Sequence, residues 1–566
     1  MQILRANIET GSTRFEPVPA GWQELGGRGL IARVMLDEVP PQCDPLGPDN
    51  KLIFAPGLLV GHMVSACDRI SVGGKSPLTG GIKEANAGGT TGLRMVWLEL
   101  HALIIEGGPS EQAGWQLLHI GPDGARFEPA GDLVGLGLQA TANALMDRFG
   151  PKIGISAIGP AGERLYRSAG ITHVDKDRHQ TRISARGGLG ALMGSKQLKA
   201  IVFDQTRSNQ PALVDKDRFR AASKRYVQAL LNHPQTSQIY TFYGTAAMVS
   251  MCNTLGGMPT RNFSAGAFEH ADKISGEAIH DLNQSRGGTV DHACMPGCTI
   301  KCSNIYFGPD NKTLVTPLEY ETIGLMGSNL GMEHPDHIAQ INAVADDLGV
   351  DTIEIGAGLG VMAEAGLMDW GDVDRALEIM DEMRRDTPLG RILGNGAGLA
   401  GKILGVQRVP VVKNQAISAY DPRSIKGTGV TYATSPQGAD HTCGNPIRAK
   451  VDQTDPQGKA ALSRESQYGS AGYDTLGICL MGGFGFGMDA TLIPDLIAGR
   501  YGREVDESYL RDLGRETILM EVEFNRQAGF TSADDRIPEW MTREKLPPTN
   551  AVFDVPWAEL DAIYSE

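Results

Sequence analysis

The chain has 566 residues, of which 41% are apolar and 21% charged, so it reads as a globular protein too long for one core, with two to four domains. Its formal net charge of −15 argues against nucleic acid and against an anionic membrane surface, since both need an exposed basic face. No run of about 18 apolar residues occurs, and MQILRANIETGSTRFEP is not of signal-peptide type, so no membrane span is expected and the cytoplasm is the expected location.

Residues 1–206 are glycine-rich and carry short apolar runs bounded by glycine and proline: 52–61, 101–108, 154–159 and 199–204. These read as strands. Between them lie GGRGL (26–30), GGKSPLTGG (73–81), NAGGTTG (86–92) and ARGGLGALMGSK (185–196), loops of a kind that lets backbone approach a ligand closely. Exposed N–H groups in such loops suit phosphate, with Arg186 and Lys75 beside two of them. Each segment taken alone is more often a surface turn. No periodic repeat is evident.

From 207 the pattern becomes helical. Segments 218–233, 336–349 and 372–386 have apolar residues at helical spacing. Gly349 is placed to end the second. Asp351 then opens another helix, with Glu354 three residues on as in a capping box. In the same stretch HACMPGCTIKC places Cys294, Cys298 and Cys302 within nine residues. Only eight cysteines occur in the chain, and a fourth, Cys479, lies in DTLGIC. Three plus one thiolates suit an iron–sulfur cube. Structural zinc, with His292 adjacent, and buried apolar thiols are the alternatives that spacing leaves open.

After 400 the chain is mixed, with helices near 492–498 and 507–525 and an extended, proline-containing tail. GAGLG (356–360) and GGFGFG (482–487) lack the strand–turn–helix setting of a dinucleotide site. One echo stands out: DDLGVD (346–351) and DTLGIC (474–479) share D-x-x-G. It fits two ordinary helix ends, and equally two contacts to a ligand with two similar halves.

In order, GGRGL, KSPLTG, NAGG, GPAGE, RGGLGALMGSKQLKAI, the cysteine triplet, LEYET, DDLGVD, AYDPR, TYATSPQGADH and DTLGIC resemble the tungsten-dependent aldehyde ferredoxin oxidoreductase family over nearly the whole chain. The resemblance implies an α+β multidomain fold. A β-rich cofactor-binding domain of two sheets (1–206) would precede two mainly helical domains, at 207–400 with the triplet and at 401–566 with His441 and Cys479. It implies tungsten on two pyranopterins, one 4Fe–4S cluster, and magnesium bridging the cofactor phosphates. Asp346, Gly349 and Asp351 would serve one pterin, and Asp474, Gly477 and Cys479 the other. Arg69, Lys75, Ser76, Asn86, Gly88, Gly89, Arg186, Gly187, Gly188 and Gly190 would hold the cofactor. Cys294, Cys298, Cys302 and Cys479 would ligate the cluster.

One departure is visible: the family's common C-x2-C-x3-C is here C-x3-C-x3-C, a spacing that suggests a subgroup, with Pro296 and Gly297 supplying a turn. For chemistry the resemblance implies aldehyde oxidation with water, electrons leaving to ferredoxin or a small ferredoxin-like subunit. A partner bearing flavin would link them to NAD, and homodimers also occur in the family. Glu321, 25 residues before Asp346, is the first choice for the catalytic carboxylate, Glu319 the second, and His441 the histidine. Two other readings remain: the catalytic subunit of an aromatic acyl-CoA reductase, and a non-enzymatic iron–sulfur or zinc module.

Overall fold

The computed structural model describes every residue except Glu111, Thr206 and Glu566, so the last residue of the expected first domain lies outside the described residues. Strands β1 (Gln2–Asn7), β2 (Ser12–Pro17), β3 (Leu52–Pro56), β4 (Ile70–Lys75), β5 (Ile82–Ala87) and β6 (Leu100–Glu106) form one sheet. A second sheet holds β7 (Gln116–Gly121), β8 (Gly124–Pro129), β9 (Gly154–Ala157), β10 (Ile171–His173), β11 (Arg182–Ser184) and β12 (Leu198–Phe203). All four apolar runs read as strands are strands. β3 and β12 are buried along their whole length, which is why they read as continuous apolar runs rather than alternating ones.

The sheets are the same construction made twice. Their orders are β2-β1-β6-β3-β4-β5 and, read from the other edge, β8-β7-β12-β9-β10-β11. The pairs β1–β6 and β7–β12 are parallel, and the other neighbours antiparallel. Helix Gly27–Glu38 precedes β3 as Leu138–Phe149 precedes β9; Thr91–Trp97 precedes β6 as Leu189–Ser195 precedes β12. The sequence reading found no repeat because the halves share strand pairing, which backbone hydrogen bonds set. The buried side chains differ: β5 is IKEANA and β11 is RIS.

Beyond residue 215 the chain is mainly helical, and the expected helices form: Lys216–Asn232, Pro335–Leu348, Thr352–Glu364, Val373–Arg384, Leu492–Tyr501 and Tyr509–Ala528. One large apolar cluster, with members such as Leu325, Ile355, Val430 and Phe553, joins both parts of this region. A small antiparallel sheet of β13 (Thr289–His292), β14 (Ser303–Phe307) and β15 (Thr313–Val315) holds the cysteine triplet in its first loop. The expected capping box at Asp351 is half made. Asp351 accepts from the Ile353 N–H at 3.0 Å, but Glu354 is buried and accepts from the N–H groups of Ala397 and Ala416 instead. GAGLG lies inside helix Thr352–Glu364, where a Cβ on Gly356 would come within 2.7 Å of Leu325 backbone, so that glycine serves close packing. Among the described residues no helix is long and apolar enough to cross a membrane.

Candidate active site

Both D-x-x-G segments are helix ends of one kind. Gly349 and Gly477 adopt φ of +76° and +80°, a region that favours glycine. The Gly349 N–H donates to the Asp346 carbonyl and the Val350 N–H to Ala345; Gly477 N–H donates to Asp474 and Ile478 N–H to Tyr473. That is the Schellman pattern twice, with the aspartate in the same place each time. Each end docks on a different sheet, in the loop between equivalent strands. Gly170 N–H reaches the Gly349 carbonyl and Asp351 N–H reaches Ser168, in the β9–β10 loop. Arg69 N–H reaches the Gly477 carbonyl and Cys479 N–H reaches Ala66, in the β3–β4 loop. The carboxyls point into low-dielectric surroundings. Burial holds Asp346 well above the usual carboxylate range and raises Asp474, against the pull of Arg182 and Arg28 respectively.

The four expected thiols gather at the second end. All are free, and Cys294, Cys302 and Cys479 line one cavity of about 520 Å³. Cys298 packs beside Cys302 and Cys479 in the adjoining apolar cluster. Gly297 at φ +75° makes the turn inside the first gap. Burial pushes the Cys294 thiol up to about 12 and raises Cys298 and Cys302 too, neighbouring thiols adding to it. Among the described residues no three of these sulfurs lie within 4.8 Å of one another. Tetrahedral zinc, at about 2.3 Å per sulfur, would draw them to less than that, whereas a cube spreads its ligands. His292 is turned away: its Nδ1 accepts from Arg182 at 2.9 Å and its Nε2 meets Asp177 at 2.7 Å. The four thiols, three from one loop and one from the second helix end, fit a cluster.

The same cavity is lined by Glu319, Glu321 and His441. Glu321 and His441 are 17% and 16% exposed. Glu321 Oε2 accepts from the Ala419 N–H at 2.9 Å, while Oε1 lies 3.4 Å from His441 Nε2 and has no hydrogen-bond partner. Burial raises the Glu321 carboxyl, against the pull of His441. His441 Nδ1 is 3.0 Å from Ser418 Oγ, which itself takes an N–H from Arg186 at 3.1 Å. With Arg186 donating, the Ser418 hydroxyl is free to donate to Nδ1. That leaves the proton of a neutral His441 on Nε2, facing Glu321. Burial raises Glu319 as well, and the charges opposing it are Arg182 and Arg69 rather than His441.

Arg69 and Asn86 line the cavity with Asp474; Asn86 donates to Asp474 Oδ1 at 3.0 Å and its carbonyl accepts from Arg69 at 3.1 Å. Gly88 and Gly89 press on the triplet. A Cβ on Gly88 would sit 3.1 Å from Cys294 Sγ, and Gly89 N–H donates to the Cys294 carbonyl at 2.9 Å. Other expected residues do not line this cavity. The Lys75 ammonium donates to the carbonyls of Pro41 and Cys43, and Ser76 Oγ ties the KSPLTG loop to the Gly187 carbonyl. Arg186 is spent on Asp351, Ser418 and the carbonyls of Ala416 and Ala439. Gly187, Gly188 and Gly190 pack where a Cβ would meet Lys83, the Arg167 carbonyl and the Gly170 carbonyl. Asp346, Gly349 and Asp351 lie outside it as well, at the first helix end.

Several polar residues of the site were not singled out in the sequence. Ser418 precedes the quoted AYDPR motif and Tyr420 lies within it, which was the signal available. Arg182 and Glu84 carried none, being single residues on short strands. Glu84 is 4% exposed, its Oε1 has no partner, and burial together with Asp474 raises it. Orphaned Glu84 Oε1 and Arg182 Nε, with the half-buried carboxyls of Asp346 and Asp474, are what a large heterocycle rich in N–H and oxygen would satisfy. The residues present therefore fit a pterin-bearing group.

Two family descriptions match the chain: "Aldehyde ferredoxin oxidoreductase, N-terminal domain" over 3–205 and "Aldehyde ferredoxin oxidoreductase, domains 2 & 3" over 221–565. A tungsten-containing aldehyde ferredoxin oxidoreductase of Thermococcus kodakarensis is 32% identical over 96% of this chain and 92% of that protein. The same holds for one from Pyrococcus abyssi. A WOR-like subunit of an aliphatic sulfonate oxidoreductase from Pyrococcus furiosus is 26% identical over 75% of this chain and 72% of its own. Among solved structures, the BamBC active-site complex of benzoyl coenzyme A reductase with 1,5-dienoyl-CoA superposes with a TM-score of 0.81. It covers all of this chain and 93% of that one at 19% identity, a likeness of fold.

Proposed function

The chain belongs to the aldehyde ferredoxin oxidoreductase family, and on that premise we propose that it oxidises small aldehydes to carboxylic acids. Aldehyde and water give the acid, two protons and two electrons. The observation that carries this reading is the facing pair Glu321 and His441, in one cavity with three of the four clustered cysteines.

A tungsten–pterin group goes with the family. When bound, it accepts the electron pair taken from the aldehyde, and an iron–sulfur cluster passes the electrons on singly. Two pyranopterins, the 4Fe–4S form of the cluster and magnesium complete the proposal. Asp346 and Asp474 would face the pterin N–H groups; Cys294, Cys298, Cys302 and Cys479 would hold the cluster. Ferredoxin or a small ferredoxin-like subunit is the proposed acceptor, in the cytoplasm, and the three-part division at 206 and 400 is kept.

The chain's own residues then divide the proton work. Glu321 Oε1, without another partner, takes a proton from the attacking water. Its raised carboxyl is a better base at neutral pH than an exposed one. His441 Nε2–H, held by Ser418 and Arg186, donates to the aldehyde oxygen as charge grows on it. The Tyr420 ring lies 5.6 Å from that imidazole and helps keep bulk water from it.

Anaerobic assay of tungsten-replete protein with several aldehydes and a viologen dye tests the reading. Glu321→Gln is expected to lower kcat by about 10²- to 10⁴-fold with iron and pterin content unchanged. Loaded protein that oxidises no aldehyde would overturn it.

A further inference from the structure

The chain pairs most of its buried guanidinium groups with carboxylates. Arg28 meets Glu521 at 2.8 Å, Arg186 meets Asp351 at 3.2 Å, and Arg423 meets Asp421 at 2.7 Å. Arg500 donates instead to the Val60 carbonyl and Arg69 to Asn86, and Arg448 also departs from the pattern. It lines the cavity described above, half-buried, and among the described residues no carboxylate reaches it. The carboxylates on the cavity wall do not meet it either: Glu321 is influenced by His441 and Arg186, and Glu319 by Arg182 and Arg69. An unpaired cation in a chain of net charge −15 is not a product of composition.

Its mounting is rigid. Arg448 closes the short 3-10 turn Pro446–Arg448, five residues after the turn that carries His441. Asn445 caps that turn through the Ile447 N–H and is itself held by Thr428 Oγ1 at 2.8 Å. The guanidinium lies beside two neighbouring rings, 5.3 Å from Tyr240 and 5.8 Å from Phe484. One nitrogen, Nη2, donates to Tyr240 Oη at 2.6 Å and meets Met248 Sδ at 3.1 Å. Among the described residues no acceptor reaches Nε or Nη1, and neither atom is fully buried. Rings and sulfur orient the group without neutralising it. A charged group presented in this way suits an oxyanion, which can accept from Nη1 or Nε.

The rest of the cavity limits size. Arg69, Asn86, Asp474 and the cysteines take up its polar end, the part assigned to the cofactor and cluster. Its wall also carries Tyr420, beside His441, and Tyr240, Met248 and Phe484, beside Arg448. That leaves room for a short, largely apolar molecule with one charged end.

We propose that Arg448 is a specificity-determining residue and that the substrates of this site are small aldehydes bearing an oxyanion at the end remote from the carbonyl. This rests on the aldehyde-oxidation reading above. The aldehyde group meets Glu321 and His441, and the remote anion accepts a charge-assisted hydrogen bond from Arg448 Nη1 or Nε.

Matched pairs test it: 4-oxobutanoate against butanal, and 4-formylbenzoate against benzaldehyde, in the viologen assay with loaded protein. The wild type is expected to favour the anionic member of at least one pair in kcat/KM. In Arg448→Met that preference falls by about 30-fold, as loss of a hydrogen bond to a charged partner gives. Arg448→Lys, which keeps the charge but not the guanidinium, recovers part of it. Calorimetry with succinate and terephthalate on the same proteins supplies a readout independent of turnover: wild type binds, and Arg448→Met binds at least about tenfold more weakly. A wild type that favours the neutral member of both pairs, or a preference unchanged in Arg448→Met, overturns the inference and leaves aldehyde oxidation standing. Arg448-dependent dicarboxylate binding in loaded protein that oxidises no aldehyde keeps the anion site and removes the aldehyde reading.

Discussion

The two D-x-x-G ends are built alike and finish differently. Each closes a helix with a left-handed glycine, each docks in the loop between equivalent strands of one of two equivalent sheets, and each is followed two residues later by an N–H that bonds into that loop. At that last position the first end has Asp351 and the second Cys479. Asp351 turns back to cap the next helix and pair with Arg186. Cys479 joins the cysteine triplet in the cavity wall. A symmetric cradle becomes directional through one side chain, and on the proposed reading electrons leave at one end only.

The largest effect is expected from removing that asymmetry. Cys479→Ser or Cys479→Asp should lose cluster iron and lower dye-linked turnover by about 100-fold, with iron analysis and low-temperature EPR as the readouts. The reciprocal change, Asp351→Cys, should leave iron content unchanged, because the triplet lies at the other helix end. Iron retained in Cys479→Ser would mean that the fourth ligand is elsewhere.

The cradle itself is expected to respond evenly. Gly57 follows β3 and Gly159 follows β9; a Cβ on the first would lie 2.0 Å from the Gly477 nitrogen and on the second 2.2 Å from the Leu348 carbonyl oxygen. Neither backbone can yield without lifting a helix end off its sheet. Gly57→Ala and Gly159→Ala should each cost about 3 kcal/mol. Gly477→Ala and Gly349→Ala should cost less, roughly 1–2 kcal/mol of left-handed strain, since their added Cβ atoms meet neighbours no nearer than 2.7 and 3.0 Å. Apparent Tm at a fixed scan rate ranks the four. A mild Gly159→Ala beside a damaging Gly57→Ala would show that the two docks do not bear equal load.

Much of this was legible in the sequence. The D-x-x-G echo, the triplet and the Glu321–His441 pair rest on local strings, and local strings survive in one dimension. The echo also shows that its plain reading was sound: both segments are ordinary helix ends, and their geometry is what places the aspartates. The duplicated sheets were not legible, because strand pairing depends on backbone partners far apart in sequence and not on residue identity. Lys75 looked like a phosphate ligand beside a glycine loop, yet its ammonium is turned to the carbonyls of Pro41 and Cys43. Nothing in a run of letters gives the direction of a side chain. Arg448 carried no motif, and what marks it is the lack of a facing carboxylate, a property of three-dimensional packing.

The smallest effect concerns Asp474 and Glu84, the carboxyls beneath the second end. Burial raises both above the usual range, with Asp474 adding to Glu84 and Glu521 to Asp474, despite Arg28 close by. The folded protein then holds protons that the unfolded chain has released. Stability from this pair is present at low pH and declines as pH rises from the ordinary carboxylate range through the raised values, by at most about 1.4 kcal/mol per pH unit for each proton. In metal-free protein, Glu84→Gln should flatten the fall of Tm with pH. The first end has its raised Asp346 close to Glu319, but with Arg182 opposing both, so Glu319→Gln should flatten it as well. Loading the pterin should reduce the slope in the wild type more than in Glu84→Gln, because donors from the ligand would stabilise the ionised carboxylates that burial disfavours. A slope that loading leaves untouched would place the ligand away from Asp474.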